Sequence, residues 1–257
     1  MAFGSAYRAV GNGKWAVRHQ LLRRVQRLVG LVSFVLLLGI GIATMELAGF
    51  RWTDLLQLIP SGTFGVLFQR EITIISGHAG SDSGAVCLDA NGNPAVTEQA
   101  VNAAVAERVA RRLRRGGASV TIFDEFDPRL ELLQSDLLIS LHADSCVEAS
   151  GYKFAYNTRA EVLPFTSKFD TCFAQEYAVI TNLPLHVDTI THDMTNYHAF
   201  RTIAPTTPAV ILEMGFIGGD QALLVEQPET VARGVTESIR CFFQSANPPK
   251  RGERDEP

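Results

Sequence analysis

Apolar residues along the chain gather into five short runs: Ile72–Ser76, Ala118–Phe123, Leu137–Leu141, Tyr152–Tyr156 and Ala209–Leu212. Several are apolar at nearly every position, not at every second one. That is the pattern of strands covered on both faces, as in a mostly parallel sheet. Helical spacing occupies the intervals. In Glu98–Arg115 the residues Val101, Val105, Val109 and Leu113 recur every four positions and form one apolar stripe. Thr97 stands where an N-cap is needed and Gly116-Gly117 where a helix stops. Phe165–Asn182 and Glu229–Gln244 are further expected helices. The alternation predicts an α/β fold, with a twisted, mainly parallel sheet and helices on both faces.

Another run has a different character. Leu28–Met45 is uncharged over 18 residues, and at about 1.5 Å per residue it reaches about 27 Å, close to the ~30 Å hydrocarbon core of a bilayer. Residues 1–27 hold Arg8, Lys14, Arg18, Arg23, Arg24 and Arg27 and no acid, and Glu46 comes after the run. Positive charge on the entering side keeps the N-terminus in the cytoplasm and exports the chain beyond the apolar run. The expected organisation is a basic cytoplasmic tail (1–27), a single transmembrane helix (28–48), a stem (49–69) broken at Pro60-Ser61-Gly62, a catalytic domain (70–246) and a Pro-rich charged tail (247–257). A cleaved signal peptide is the alternative, since Gly41-Ile42-Ala43 has small residues at cleavage-site spacing.

The charge balance narrows the partners. The whole chain carries −4, but without the six basic residues of its first segment it holds 17 basic against 27 acidic residues. An acidic body excludes a nucleic-acid footprint.

Candidate chemistry sits where the apolar runs end. Ile72–Ile75 gives way to Ser76-Gly77-His78, Leu137–Leu141 to His142, and Ala209–Leu212 to Glu213; Glu98 opens the first helix. Open α/β sheets place their ligands at the carboxyl ends of strands. Two imidazoles and one carboxylate are a common catalytic zinc set, with a fourth position left for water. Glu213, with Met214-Gly215-Phe216 after it, is a carboxylate in apolar surroundings. Desolvation would raise its pKa toward the range of a general base.

The strings GHAGSDSGA (77–85), LLISLHADS (137–145) and PAVILEMGF (208–216), with Glu98 between the first two, resemble the zinc-dependent N-acetylmuramoyl-L-alanine amidases of the AmiC/CwlV type, the amidase_3 family. The resemblance covers roughly residues 70–245. It implies that His78, Glu98 and His142 bind Zn2+, that Glu213 is the catalytic glutamate and that peptidoglycan is the substrate. The chain departs from the family's usual pattern at Ala79 and Ser83, at Asp144 in place of an Asn, and in a compressed segment, TIFDEFDPRLELLQSD (121–136). A zinc hydrolase of another amide and a non-catalytic wall-binding module are the alternative functions. No protein partner is legible.

Further residues gain a role beside these. Tyr197 and His198 are candidates to face the substrate, His198 also to steady an oxyanion. Asp82 and Asp144 flank the proposed ligands and are candidates to hydrogen-bond a ligand histidine. Four cysteines in an exported domain suit disulfides, for which three pairings exist. Cys87 comes after the His78 loop and Cys146 after His142, so ligands that share a metal bring these two together. Cys172–Cys241 then joins two helices.

Overall fold

The structure, a computed structural model, describes residues 25, 26, 28–37, 39 and 65–249. The chain divides into two units, Met1–Pro60 and Ser61–Pro257. In the first, the described residues are helical and exposed, including Leu28, Leu31, Phe34 and Leu37. No helix among the described residues is long and apolar enough to cross a membrane. Of the expected span 28–48 only residues 28–37 and 39 are described; its remainder, residues 49–64 of the stem and residues 250–257 of the tail lie outside the described residues.

The second unit holds seven described strands: β1 (Glu71–Ser76), β2 (Val86–Leu88), β3 (Pro94–Thr97), β4 (Ser119–Phe123), β5 (Leu137–Asp144), β6 (Lys153–Tyr156) and β7 (Ala209–Phe216). Five of them form one sheet in the order β4-β1-β5-β7-β6. All neighbours in it run parallel except β6, which pairs antiparallel with β7 at the edge. The separate hairpin of β2 and β3 was not expected from the apolar pattern. It is made by its turn: the Asp89 carboxylate accepts the N–H groups of Asn91 and Asn93, and Gly92 takes φ 82.

Two long helices, α1 (Glu98–Arg115) and α2 (Pro228–Ala246), pack on one face. Thr97 caps α1 by accepting the N–H of Ala100, and the expected stripe Val101, Val105, Val109 and Leu113 is buried. Val105, Val109 and Leu113 are wholly buried, so each contributes on the order of 1.5–3 kcal/mol of burial free energy. Most of the stretch expected as one helix over Phe165–Asn182 is helical: a short turn, Leu163–Thr166, precedes an unbroken run of Phe169–Cys172, a π-helical turn over Phe173–Tyr177 and Ala178–Thr181. Asn182 ends it in the left-handed conformation, φ 58. Phe169, Phe173 and Tyr177 pack inward, with Phe169 stacked on Phe242 of α2 at 4.5 Å.

The opposite face is covered more thinly. Ile75, Leu138, Ala155, Ala209 and Ile211 of the sheet meet Leu130, Met194, Tyr197, Phe200 and Ile203, which come from short helical turns. Because side chains alternate along a strand, Ser140 and His142 share this face with Leu138, and Glu213 shares it with Ile211. Helices do lie on both faces, long on one and short on the other. The chain before Glu71 is also part of this unit: Leu67 is 1% exposed and packs in the core.

Both expected disulfides are present, Cys87–Cys146 and Cys172–Cys241. The second spans 69 residues, and closing such a loop in the unfolded chain is worth about 4 kcal/mol in the chain-entropy account. Changing Cys172 and Cys241 together to Ser is expected to lower unfolding free energy by about 2–4 kcal/mol in urea titration.

Candidate active site

His78 stands in the left-handed region at φ 66, in the turn after β1. A non-glycine residue there is held by its surroundings at some cost. Its Nδ1 lies 2.5 Å from Asp82 Oδ1, and Asp82 is fixed in turn by the N–H of Gly84. Those contacts, the backbone N–H of Gly84 first and His78 second, hold the Asp82 carboxyl below its ordinary value. Asp82 therefore occupies one ring nitrogen of His78 and turns the other, Nε2, toward Glu98 at 3.1 Å.

Glu98 begins α1, where a carboxylate is favoured by the unpaired N–H groups and the helix dipole. Its Oε2 accepts the N–H of Ala85, and its Oε1 is 3.1 Å from His142 Nδ1 as well as from His78 Nε2. Burial works to raise the Glu98 pKa, but His142 and the Ala85 N–H outweigh it and lower it. Asn102, one turn on and fully buried, donates to Gly77 O and Glu98 Oε1 and ties the helix start to the His78 turn. Ligand-type atoms of His78, Glu98 and His142 all lie within 4.8 Å of one another.

Close approach explains two glycines. A Cβ on Gly77 would meet the His142 ring at 2.6–2.7 Å. Gly84 has φ +60, and its Cβ would fall 2.5 Å from Glu98 Oε2 and 2.8 Å from His78 Cδ2.

His142 and Glu213 were expected just beyond the ends of their strands. Both lie inside them, because β5 and β7 continue to Asp144 and Phe216 and pair across this region. His142 is in register with Glu213, with an irregularity between His142 and Asp144. Glu213 is partly exposed as a residue, yet its Oε2 is buried and has no hydrogen-bond partner in the protein. Burial raises its pKa, the His142 charge opposes this, and nearby Glu98 and Asp144 add to it; the result is about 7.

The other expected residues divide. Asp144 does not reach a ligand histidine. It is 2.5 Å from Lys153 Nζ, because the bulge after His142 turns it toward the edge strand β6. Lys153 is buried and also donates to Thr189. Tyr197 is 6% exposed and its hydroxyl is engaged with Glu125 at 2.6 Å and Ser140 at 2.9 Å, so it supports the site from within instead of facing a substrate. His198 opens a short helix, is partly exposed, stacks near Phe126 and places Nε2 2.8 Å from Glu125.

Glu125, not singled out in the sequence, is thus central. Burial pushes its pKa up, but the nearby His142 ring and hydrogen bonds with His198 and Tyr197 overcome this and hold it well below the usual carboxylate range. It lies among the acidic residues Asp124 and Asp127 in a segment without apolar periodicity, so local pattern does not mark it. For His142, burial favours the neutral ring, yet Glu125, Glu98 and Glu213 surround it and raise its pKa to about 10.

Three carboxylates about one buried imidazole, with Glu213 Oε2 unpartnered, form a pocket of negative charge that calls for a cation. Two imidazole nitrogens and a carboxylate oxygen at mutual contact are a donor set suited to zinc. Sheet topology and site together define an α/β protein with the candidate centre of a metal-assisted hydrolase.

The chain belongs to the Amidase_3 family, N-acetylmuramoyl-L-alanine amidase, whose profile matches residues 72–240. Among solved structures it is similar to the N-acetylmuramyl-L-alanine amidase Ami1 from Mycobacterium smegmatis, at 16% identity and TM-score 0.54 over 70% of this chain and 99% of that one. The apo form of Ami1 from Mycobacterium abscessus matches at 15% identity and TM-score 0.53, over 68% and 99%. An N-acetylmuramoyl-L-alanine amidase from Clostridium difficile 630 matches at 16% and 0.52, over 69% and 98%. These likenesses establish the shared fold. No curated protein sequence matches the chain.

Proposed function

We propose that this protein is a zinc-dependent amidase that hydrolyses the amide between N-acetylmuramic acid and L-alanine in peptidoglycan. One observation carries the reading: His78 Nε2 and His142 Nδ1 each lie 3.1 Å from the same Glu98 oxygen, and Glu213 stands in register with His142 on the next strand. Zinc bound by His78, Glu98 and His142 would polarise the scissile carbonyl and lower the pKa of the attacking water.

The chain's own groups do the rest. Glu213, with a pKa of about 7, takes the proton of the attacking water on its carboxylate. The same carboxyl then delivers that proton to the nitrogen of L-alanine, so the leaving group departs as an amine. Asp82 keeps the His78 ring turned toward Glu98. The Asp144–Lys153 pair lies behind Glu213, where the Lys153 charge restrains the rise in its pKa.

Digestion of purified peptidoglycan by residues 65–249, with mass spectrometry of the products, is the test. Released intact stem peptides with a free L-alanine amine are expected. Cuts at other bonds would move the assignment to a different amide.

We further propose that residues 28–48 anchor the protein in the cell membrane, with the N-terminus cytoplasmic and the catalytic unit outside. The acid-free basic segment 1–27, the uncharged run after it and two disulfides support this. The full chain is expected to stay with membranes through alkaline carbonate washing. Release as a shortened soluble form would point to signal-peptide cleavage.

A further inference from the structure

Glu125 is a buried charge for which the proposed hydrolysis has no use. It is 5% exposed and lies in the compressed segment between β4 and β5. Its Oε2 accepts the backbone N–H of His78 at 3.0 Å and lies 3.4 Å from His142 Nε2. Its Oε1 accepts the Tyr197 hydroxyl at 2.6 Å and lies 2.8 Å from His198 Nε2. Tyr197 is itself held by Ser140, on the same face of β5 as His142. One carboxylate thus reaches both candidate ligand histidines, His78 and His142, and two further side chains, Tyr197 and His198, fix that carboxylate.

Elementary chemistry gives this arrangement two consequences. A neutral imidazole carries one N–H, and a carboxylate beside Nε2 draws the hydrogen there. That leaves the Nδ1 lone pair of His142 directed to Glu98, where the candidate metal atoms converge. The 3.4 Å approach is off the hydrogen-bond line, and Nε2 has no hydrogen-bond partner among the described residues; Glu98 lies 3.1 Å from Nδ1, so once Nδ1 is given to a metal, Glu125 is the carboxylate left to hold the proton on Nε2. The second consequence concerns His78. Its left-handed φ of 66 is costly for a non-glycine residue, and the bond from its N–H to Glu125 helps to pin it there.

We propose that Glu125 is a positioning residue for the metal site: it fixes the tautomer of His142 and the backbone of His78, and Tyr197 and His198 hold it in place. This rests on reading His78, Glu98 and His142 as a zinc site. The same contacts would also serve a merely structural role, and metal affinity and ring tautomer separate the two.

The experiment uses the full chain in detergent, stripped of metal, with zinc affinity measured by competition against a chromophoric chelator. Glu125→Gln is expected to weaken zinc binding by about 10–100-fold, the usual effect of losing a carboxylate behind a ligand histidine. Glu125→Asp is expected to recover part of that loss, and Tyr197→Phe to lose several-fold. Nitrogen-resolved NMR of the histidine rings in the zinc-loaded protein is expected to show a protonated Nε2 on His142 in wild type and a changed pattern in Glu125→Gln. Wild-type binding with Glu125→Gln within twofold of it, or an unchanged His142 pattern, overturns the positioning role and leaves the zinc reading standing. Wild type that binds no zinc overturns both. If Glu125→Gln fails to fold, Tyr197→Phe decides: reduced affinity in a folded protein supports the role, and unchanged affinity overturns it.

Discussion

Glu213→Gln is expected to keep its zinc and lose about 10³-fold in kcat on peptidoglycan, within the 10²–10⁴-fold range of a positioned general base. The amide fills the same space but cannot take a proton from water. Zinc content by atomic absorption and release of free L-alanine amines check the two halves. Loss of zinc along with activity would make Glu213 part of the metal site and not the base. An acid limb of wild-type kcat/KM set by ionisation of Glu213 is expected to vanish in the variant.

The same residue should show its cost in the metal-stripped protein. Its folded pKa is raised from 4.5 to about 7, so between those values the folded state holds more protons than the unfolded one. Stability therefore falls as pH rises through that window, by roughly 3 kcal/mol at full ionisation. Glu213→Gln removes this dependence. Urea titrations of stripped protein at pH 5 and pH 8 are expected to differ less in the variant than in wild type, the remaining difference coming from His142.

The second large effect is at His142. His142→Ala is expected to bind no zinc in the micromolar range and to show no turnover above background, as metal removal by a chelator would for wild type. It should also destabilise the stripped protein, because His142 then carries the positive charge among Glu98, Glu125 and Glu213. Its pKa is raised from 6.5 to about 10, so this stabilisation is complete below pH 6.5 and is lost as pH climbs toward 10. Removing one partner of such a buried set costs about 3–5 kcal/mol. Thermal unfolding of stripped wild type and variant at pH 6 measures it; a variant equal to wild type there would mean that the imidazole does not balance the carboxylates. Zinc must displace the same proton, so affinity in wild type is expected to rise with pH.

Much of this was legible in the chain. Continuous apolar runs gave the strands of a mainly parallel sheet because strands covered on both faces have no polar side to show. The stripe in α1 and its Thr97 cap were visible because helix periodicity and capping are local. His78, Glu98 and His142 stood out because a polar residue closing an apolar run, or opening a helix, is conspicuous.

Other features were hidden for physical reasons. The π-helical turn over Phe173–Tyr177 is one, since local spacing does not encode it. The inward turn of Tyr197 and the pairing of Asp144 with Lys153 depend on a strand irregularity and on which edge β6 occupies. Glu125 lies between two aspartates in a segment that reads as loop, and only its distant partners reveal it.

The sequence by itself determined the five strands of the main sheet, the long helices and the ligand-type residues near their ends, since these rest on periodicity and on contacts between near neighbours. Only the tertiary structure decided that His142 and Glu213 meet in register on the thinly covered face. It alone decided that Glu125 joins His78, Tyr197 and His198, because hydrogen bonds between residues 47 to 73 positions apart are fixed by how the elements pack and leave no trace in local pattern.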